Sequence, residues 1–209
     1  FFNVGIAEAN LVGVAAGMSS VGLVPFIHSF GCFASRRDYD QLFISVGYAH
    51  QRVIVIGTDP GITAQYNGGT HMPFEDIALI RQIPGFIIIE PGDAQSLYDL
   101  TWQCYKSGKS AYIRTPRKGI VHRYGLDQKI ELGKGIELAD GKDVAIIATG
   151  AVMVDAAMEA KAILEKDGIS PTVIDLHTIR PLDEDLVIRA AERCGRVLVM
   201  ENGRYAGGV

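Results

Sequence analysis

Glu8 is the side chain whose setting first asks for a chemical explanation. The opening stretch FFNVGIAEA reads as a short apolar strand that delivers this glutamate to the first turn of a helix. The helix, expected over Glu8 to Gly22, is built mainly from Ala, Leu, Val, Gly and Ser, with Glu8 and Asn10 its strongly polar members. A carboxylate entering such a helix has two readings. As an acid in a first turn it answers the positive end of the helix dipole, worth a few tenths to about 1 kcal/mol. As an acid held in apolar surroundings it has a raised pKa and can shuttle a proton at neutral pH. The residues alone leave both open.

The elements that must hold it follow a βαβα rhythm. Leu23 to Phe30 reads as a buried strand ending at Gly31, and a helix is expected from about Ser35 toward Tyr48. Arg52 to Gly57 is a continuous apolar strand, followed by the Gly/Pro/Asn-rich loop Asp59 to Pro73 at its C-terminal end, the edge where open α/β sheets place ligands. Phe74 to Gln82 has helical spacing, Phe86 to Glu90 reads as a strand, and Asp93 is a natural N-cap for a helix running to about Lys106. Ser110 to Arg114 is the next strand. Residues 116–142 loosen into a charged, Gly-rich linker, in which Gly133 to Leu138 is expected to pair as an edge strand. A second unit then alternates strand 143–149, helix 152–166, strand 172–176, helix 183–193 and strand 196–200. The class implied is α/β in two domains, 1–115 and 143–209, each a mainly parallel sheet with helices on both faces.

Bulk properties narrow the function. With 48% hydrophobic and 21% charged residues the chain is globular and not disordered. Its net charge of −4, without a basic run interleaved with aromatics, disfavours a nucleic-acid surface. No apolar run is long enough for a membrane span. Cys32, Cys104 and Cys194 lie far apart, which argues against a metal knuckle or disulfide framework and fits packing residues in a reducing cytosol, so a cytoplasmic protein is expected. The chain opens on Phe1 and closes on Gly207, Gly208 and Val209, so both ends are expected to be cut from something longer.

Five segments in order, covering essentially the whole chain, resemble the transketolase group of thiamine-diphosphate enzymes. VGIAEAN is similar to the family segment that supplies the cofactor-activating glutamate. FGCFASRRDYDQ resembles the aromatic pocket, spaced as in separately encoded C-terminal subunits. YNGGTHMPFED resembles the substrate-site loop ending in Thr-His, and YIRTPRKG the strand and loop with a phosphate-contacting arginine. TVIDLHTIRPLD and VLVMENG resemble the family's C-terminal domain.

The resemblance implies roles. Glu8 activates the cofactor through a pyrimidine nitrogen and must hold or share a proton, which burial against Leu11, Val12 and Phe30 favours. Phe30 and Phe33 seat the pyrimidine ring. His71 and Arg114 engage substrate, the arginine through a bidentate phosphate contact. Asp59 and Asn67 stand where transketolases usually carry a His and an acid that touch sugar hydroxyls. Arg37 matches an arginine of the split-subunit pattern and is read as a salt bridge between helices. Arg117 and His122 receive no role, and His177 and Arg180 are read as packing or interface residues. The family's GDG motif for diphosphate and Mg²⁺ does not occur in this sequence. An N-terminal diphosphate-binding subunit or segment is therefore expected from elsewhere, within a homo- or hetero-oligomer.

The implied activity is transfer of a two-carbon ketol unit between sugar phosphates, dependent on thiamine diphosphate and Mg²⁺. The alternatives are a deoxyxylulose-phosphate synthase, the β subunit of a 2-oxo acid dehydrogenase, and a catalytically silent interaction partner.

Overall fold

A computed structural model describes residues 1–117 and 120–209. The last two residues of the YIRTPRKG segment, Lys118 and Gly119, lie outside the described residues. The chain forms two compact units: Phe1–Ile88 with Cys104–Arg117 and Gly203–Gly208, and Ile89–Gln103 with Lys118–Asn202 and Val209. Each unit draws on more than one stretch of sequence.

In the first unit α1 (Glu8–Ser20) leads into β1 (Phe26–Phe30), and β2 (Ile54–Thr58) and β4 (Ala111–Thr115) lie beside it in parallel. The runs FIHSF, IVIGT and AYIRT carry β-branched and aromatic residues, which suit a sheet buried on both faces. β3 (Ile87–Ile89) starts with the Ile87 N–H donating to the Ser110 carbonyl at 2.9 Å. Gly57 is required in β2 because the Tyr112 ring occupies the space that a Cβ would need. Helix α3 (Asp76–Arg81) and a short 3₁₀ turn (Gly61–Asn67) complete the unit around the loop after β2.

The expected helix from Ser35 to Tyr48 is broken. It forms π-helical turns at Phe33–Arg37 and Leu42–Tyr48 with α2 (Tyr39–Gln41) between them. The breaks fall where Ala34 and Asp38 leave helical dihedrals, with ψ of 16° and 19°. The strand expected before Glu8 is absent. Asn3 Oδ1 accepts the Gly5 N–H at 2.9 Å and Gly5 takes φ 79°, a local turn that stops extended pairing. Helix α1 is apolar on every side. Val12, Ala15 and Ala16 are buried, while Gly13, Val14 and Gly17 are exposed.

The second unit holds α4 (Ala94–Lys106) for most of its length, β5 (Ile136–Ala139), β6 (Val144–Ala148), α5 (Gly150–Leu164), β7 (Pro171–Asp175), β8 (Thr178–Arg180), α6 (Glu184–Cys194) and β9 (Val197–Met200). Its sheet runs β5-β7-β6-β9, parallel except for β5, which pairs antiparallel with β7 at the edge. Strand alternation divides the core. Ala145, Ile147 and Ile174 pack on Leu186, Ala190 and Cys194 of α6, whereas Ile146, Ala148 and Val173 pack on Val154 and Ala157 of α5. The three-residue β8 was not anticipated, because so short a run has no readable period. No described helix is long and apolar enough to cross a membrane.

Asp93 caps α4 as its sequence position suggests. Oδ1 accepts the Ser96 N–H at 2.8 Å, and Oδ2 accepts the N–H groups of Arg123 and Tyr124, each at 3.0 Å. Burial alone would raise this carboxyl, but the hydrogen bonds from Ser96, Tyr124 and Arg123 hold it below its ordinary value. Its stabilisation is therefore present above the unfolded pKa and is lost as pH falls through the depressed folded one. Asp93→Ala should lower unfolding free energy by about 2–4 kcal/mol at neutral pH, since it removes a cap and orphans buried N–H groups. Urea unfolding at pH 7 and pH 3 checks this, with the difference from wild type shrinking at the lower pH.

Candidate active site

The site gathers at the C-terminal ends of β1, β2 and β4, within the first unit. Glu8 is the first residue of α1 and is 7% exposed. Its Oε1 accepts from Ser29 Oγ at 3.2 Å, and its Oε2 accepts from Arg37 Nη1 at 3.0 Å. Burial works to raise the Glu8 pKa. The hydrogen bonds from Arg37, its own backbone N–H and Ser29, with the Arg37 charge, outweigh it and leave the carboxyl below its ordinary value. The expectation of an acid raised by burial is thus corrected: Glu8 is an ionised carboxylate tied to a guanidinium. The tie contributes above the unfolded pKa and is lost as pH falls through the depressed folded value. Arg37 does bridge helical segments, and its partner is Glu8 itself.

Beside this pair stand three rings. Phe30 ends β1, Phe33 opens the first π-helical turn, and His71 comes from the Gly-rich loop. Their centroids lie 5.1 to 5.9 Å apart, all edge to face, an arrangement that the aromatic quadrupole favours. Arg37 stacks on the Phe33 ring at 3.9 Å, and Arg117 on Phe30 at 4.8 Å. His71 Nδ1 lies 2.9 Å from Thr70 Oγ1, and the His71 N–H donates to the Gly68 carbonyl at 3.0 Å. Arg36 pins the same loop, with Nη1 2.6 Å from Glu75 Oε1 and Nη2 3.4 Å from the Thr70 carbonyl. The sequence-predicted Glu8, Phe30, Phe33 and His71 therefore lie on neighbouring elements of one unit.

Arg114, expected to contact a phosphate, is buried against Asp76. It is 0% exposed and grips Asp76 with Nε to Oδ2 at 2.9 Å and Nη2 to Oδ1 at 3.1 Å, while Nη2 also donates to the Pro73 carbonyl at 3.2 Å. Tyr112 donates to Asp76 Oδ2 at 2.8 Å, and burial with the Asp76 charge raises its phenol well above the ordinary range. This network fixes the end of the His71 loop against β4.

Arg117, like Arg36 and Arg37, is about half exposed. Its Nε pairs with Asp59 Oδ2, its N–H donates to Asp59 Oδ1 at 3.2 Å, and its Nη2 lies 3.5 Å from Asn67 Oδ1. Asp59 is buried and has φ 57°, whereas Asn67 is exposed. Asp59 therefore faces Arg117 and is not open to solvent. The signal that separates the two arginines is their place: Arg114 lies inside β4, and Arg117 lies beyond its end.

Among the described residues no three His, Cys, Asp or Glu side chains group to hold a metal ion.

Comparison with known proteins agrees with this geometry. The transketolase pyrimidine-binding domain model matches residues 1–121, and the transketolase C-terminal domain model matches residues 133–209. A 6-deoxy-6-sulfo-D-fructose transketolase subunit from Clostridium sp. (strain MSTE9) is 43% identical over 207 residues, covering 99% of this chain. This chain spans 64% of that relative's length. A 1-deoxy-D-xylulose-5-phosphate synthase from Prochlorococcus marinus (strain NATL2A) is 35% identical over 211 residues, covering all of this chain and 33% of the relative. A solved structure described as a split-gene transketolase, an inactive β4 tetramer, superposes with a TM-score of 0.90 at 36% identity, covering 100% of this chain and 67% of that one.

Asp76→Ala should cost roughly 3–5 kcal/mol by removing the carboxylate that balances the buried Arg114. Arg117→Ala takes the guanidinium from the buried Asp59 carboxylate but leaves it the backbone N–H of residue 117, and should cost less, about 1–3 kcal/mol. Urea unfolding of both variants measures the contrast, and equal losses would contradict the division of labour between the two arginines.

Proposed function

The chain belongs to the transketolase family, and on that premise we propose that it is the pyrimidine-binding and C-terminal section of an enzyme that moves a two-carbon ketol unit between sugar phosphates. The observation that carries this reading is the buried, hydrogen-bonded Glu8 beside the edge-to-face rings of Phe30, Phe33 and His71. Thiamine diphosphate, when bound, supplies the electron sink for a carbanion. This chain's residues supply the rest. Phe30 and Phe33 give apolar faces for the pyrimidine ring and exclude water from it. Glu8 gives up its hydrogen bond from Arg37, takes a proton from solvent on Oε2, and donates that proton in a hydrogen bond to a pyrimidine nitrogen. Arg37 keeps its stack on Phe33 while releasing the carboxylate. His71, wedged against both phenylalanines and held by Thr70, reaches hydroxyls or an oxyanion on the reacting substrate. Arg117 binds the substrate's terminal anionic group, a phosphate or, as the name of the sulfofructose relative suggests, a sulfonate. Asp59 and Asn67 orient Arg117 and do not touch the sugar directly.

The sequence lacks the GDG motif by which the family holds the diphosphate and metal, which supports a division of the cofactor between this section and another. That other part holds the diphosphate and Mg²⁺. The solved relative whose description pairs a β4 tetramer with inactivity supports the same division.

The test is reconstitution. The full protein, combined with a companion carrying a GDG motif, thiamine diphosphate and Mg²⁺, is expected to pass a two-carbon unit from a ketose phosphate to an aldose phosphate, with a sulfonated ketose in the same panel. Pyruvate consumption with glyceraldehyde phosphate would assign the synthase reaction instead, and transfer to a lipoyl group would assign the dehydrogenase subunit. Glu8→Gln should reduce turnover at least 100-fold while the fold persists. Arg117→Ala should raise KM for the anionic substrate roughly 10–100-fold, the range for a charged hydrogen bond. An unchanged KM in Arg117→Ala would remove Arg117 from the substrate site.

A further inference from the structure

The candidate active site occupies the C-terminal ends of β1, β2 and β4, and a second group of basic side chains lies at the opposite edge of the same sheet. A cavity of about 240 Å³ opens there beside His50, Arg52, Gly85, Gly108 and Lys109. It belongs wholly to the first unit. Arg52 stands just before β2 and Lys109 just before β4. The two approaches are tied together: the Val53 N–H donates to Ser110 Oγ at 3.1 Å, and Ser110 Oγ donates to the Gln51 carbonyl at 3.0 Å. Arg52 is partly buried. Its backbone N–H donates to Ser19 Oγ at 2.8 Å and its guanidinium lies over the Tyr105 ring at 5.1 Å, so both ends of the residue are held. Nε and Nη2 are nevertheless shielded from solvent and meet no hydrogen-bond acceptor among the described residues. Among those residues no carboxylate lines the cavity, and His50, Arg52 and Lys109 form no ion pair.

Buried donors without a partner call for an acceptor, and the cost of leaving them unpaired is larger when they carry charge. The fork itself gives the acceptor its shape. In Arg114 the same two atoms, Nε and Nη2, hold the two oxygens of Asp76 at 2.9 and 3.1 Å, and such a fork suits carboxylate or phosphate oxygens. Charge separates these two. Arg52 and Lys109 bring two full positive charges to one cavity, with the His50 ring beside them, which matches a phosphate dianion better than the single charge of a carboxylate. The cavity is smaller than the roughly 300–1,000 Å³ of sites that take drug-sized ligands, so the solute is small. We propose that this cavity binds the phosphate group of a small solute, with Arg52 as its bidentate anchor and Lys109 as its second cation. The site is separate from the one at Arg117. The five residues of β2 lie between them, roughly 17 Å at about 3.3 Å per residue, so one phosphate cannot reach both arginines.

¹⁵N NMR of the full protein tests this, with inorganic phosphate titrated in at constant ionic strength. The Arg52 Nε–H resonance, identified by its loss in Arg52→Lys, is expected to shift saturably, and the backbone amides of Gly85 and Gly108 with it. Glycerol phosphate should move the same resonances, and acetate and chloride should not. Arg52→Lys keeps the charge but loses the fork, so the Kd read from the glycine amides should rise roughly 10–100-fold, the range for a lost hydrogen bond to a charged group. Lys109→Gln should also raise it, and Arg117→Ala should leave it unchanged. A response that does not saturate, one matched by acetate or chloride, or one abolished in Arg117→Ala would overturn the inference. If Arg52→Lys does not fold, the wild-type titration and Lys109→Gln decide. The titration needs neither thiamine diphosphate nor a companion chain, so its failure leaves the proposed function untouched.

Discussion

The bidentate grip of Arg114 on Asp76 is the constraint on which the site depends. Both side chains are fully buried, so each charge needs the other, and the pair joins β4 to the first turn of α3. Pro73, whose carbonyl Arg114 also holds, ends the loop that carries His71. Pairing with Asp76 withdraws the Arg114 guanidinium from solvent, whereas Arg36, Arg37 and Arg117 are each about half exposed. The sheet supplies position, and the buried pair turns a strand end into a rigid mount for a Gly-rich loop that would otherwise wander.

A different logic governs the opposite side of the site. Glu8 and Arg37 form an ion pair, and Phe33 lies against the guanidinium. The first π-helical turn, Phe33–Arg37, carries both the ring and the arginine.

Most of the fold was legible because strand alternation and helical spacing leave strong traces over five or more residues. β6 shows this well: Ala145 and Ile147 face α6, and Ile146 and Ala148 face α5. What was not legible had short or three-dimensional causes. The leading residues look like a strand until Asn3 turns back on Gly5, and β8 is too brief to have a period. The site was legible as residue types, since an acid at a helix start, paired phenylalanines and a loop histidine are each visible in the string. Charge states were not. The lowered Glu8 carboxyl depends on Arg37, twenty-nine positions away, and composition alone assigns them no partnership. The difference in burial between Arg114 and Arg117 is likewise something two arginines three residues apart do not announce.

Asp59 takes φ 57° where the chain leaves β2, and its carboxylate faces Arg117. Few side chains accept that backbone: Asn, Asp and His do so several times more readily than others, apart from glycine. The turn therefore favours a handful of residue types at position 59, and of these an aspartate is the one that meets a neighbouring guanidinium with a full negative charge, so a single dihedral angle and a single ion pair fix the same side chain.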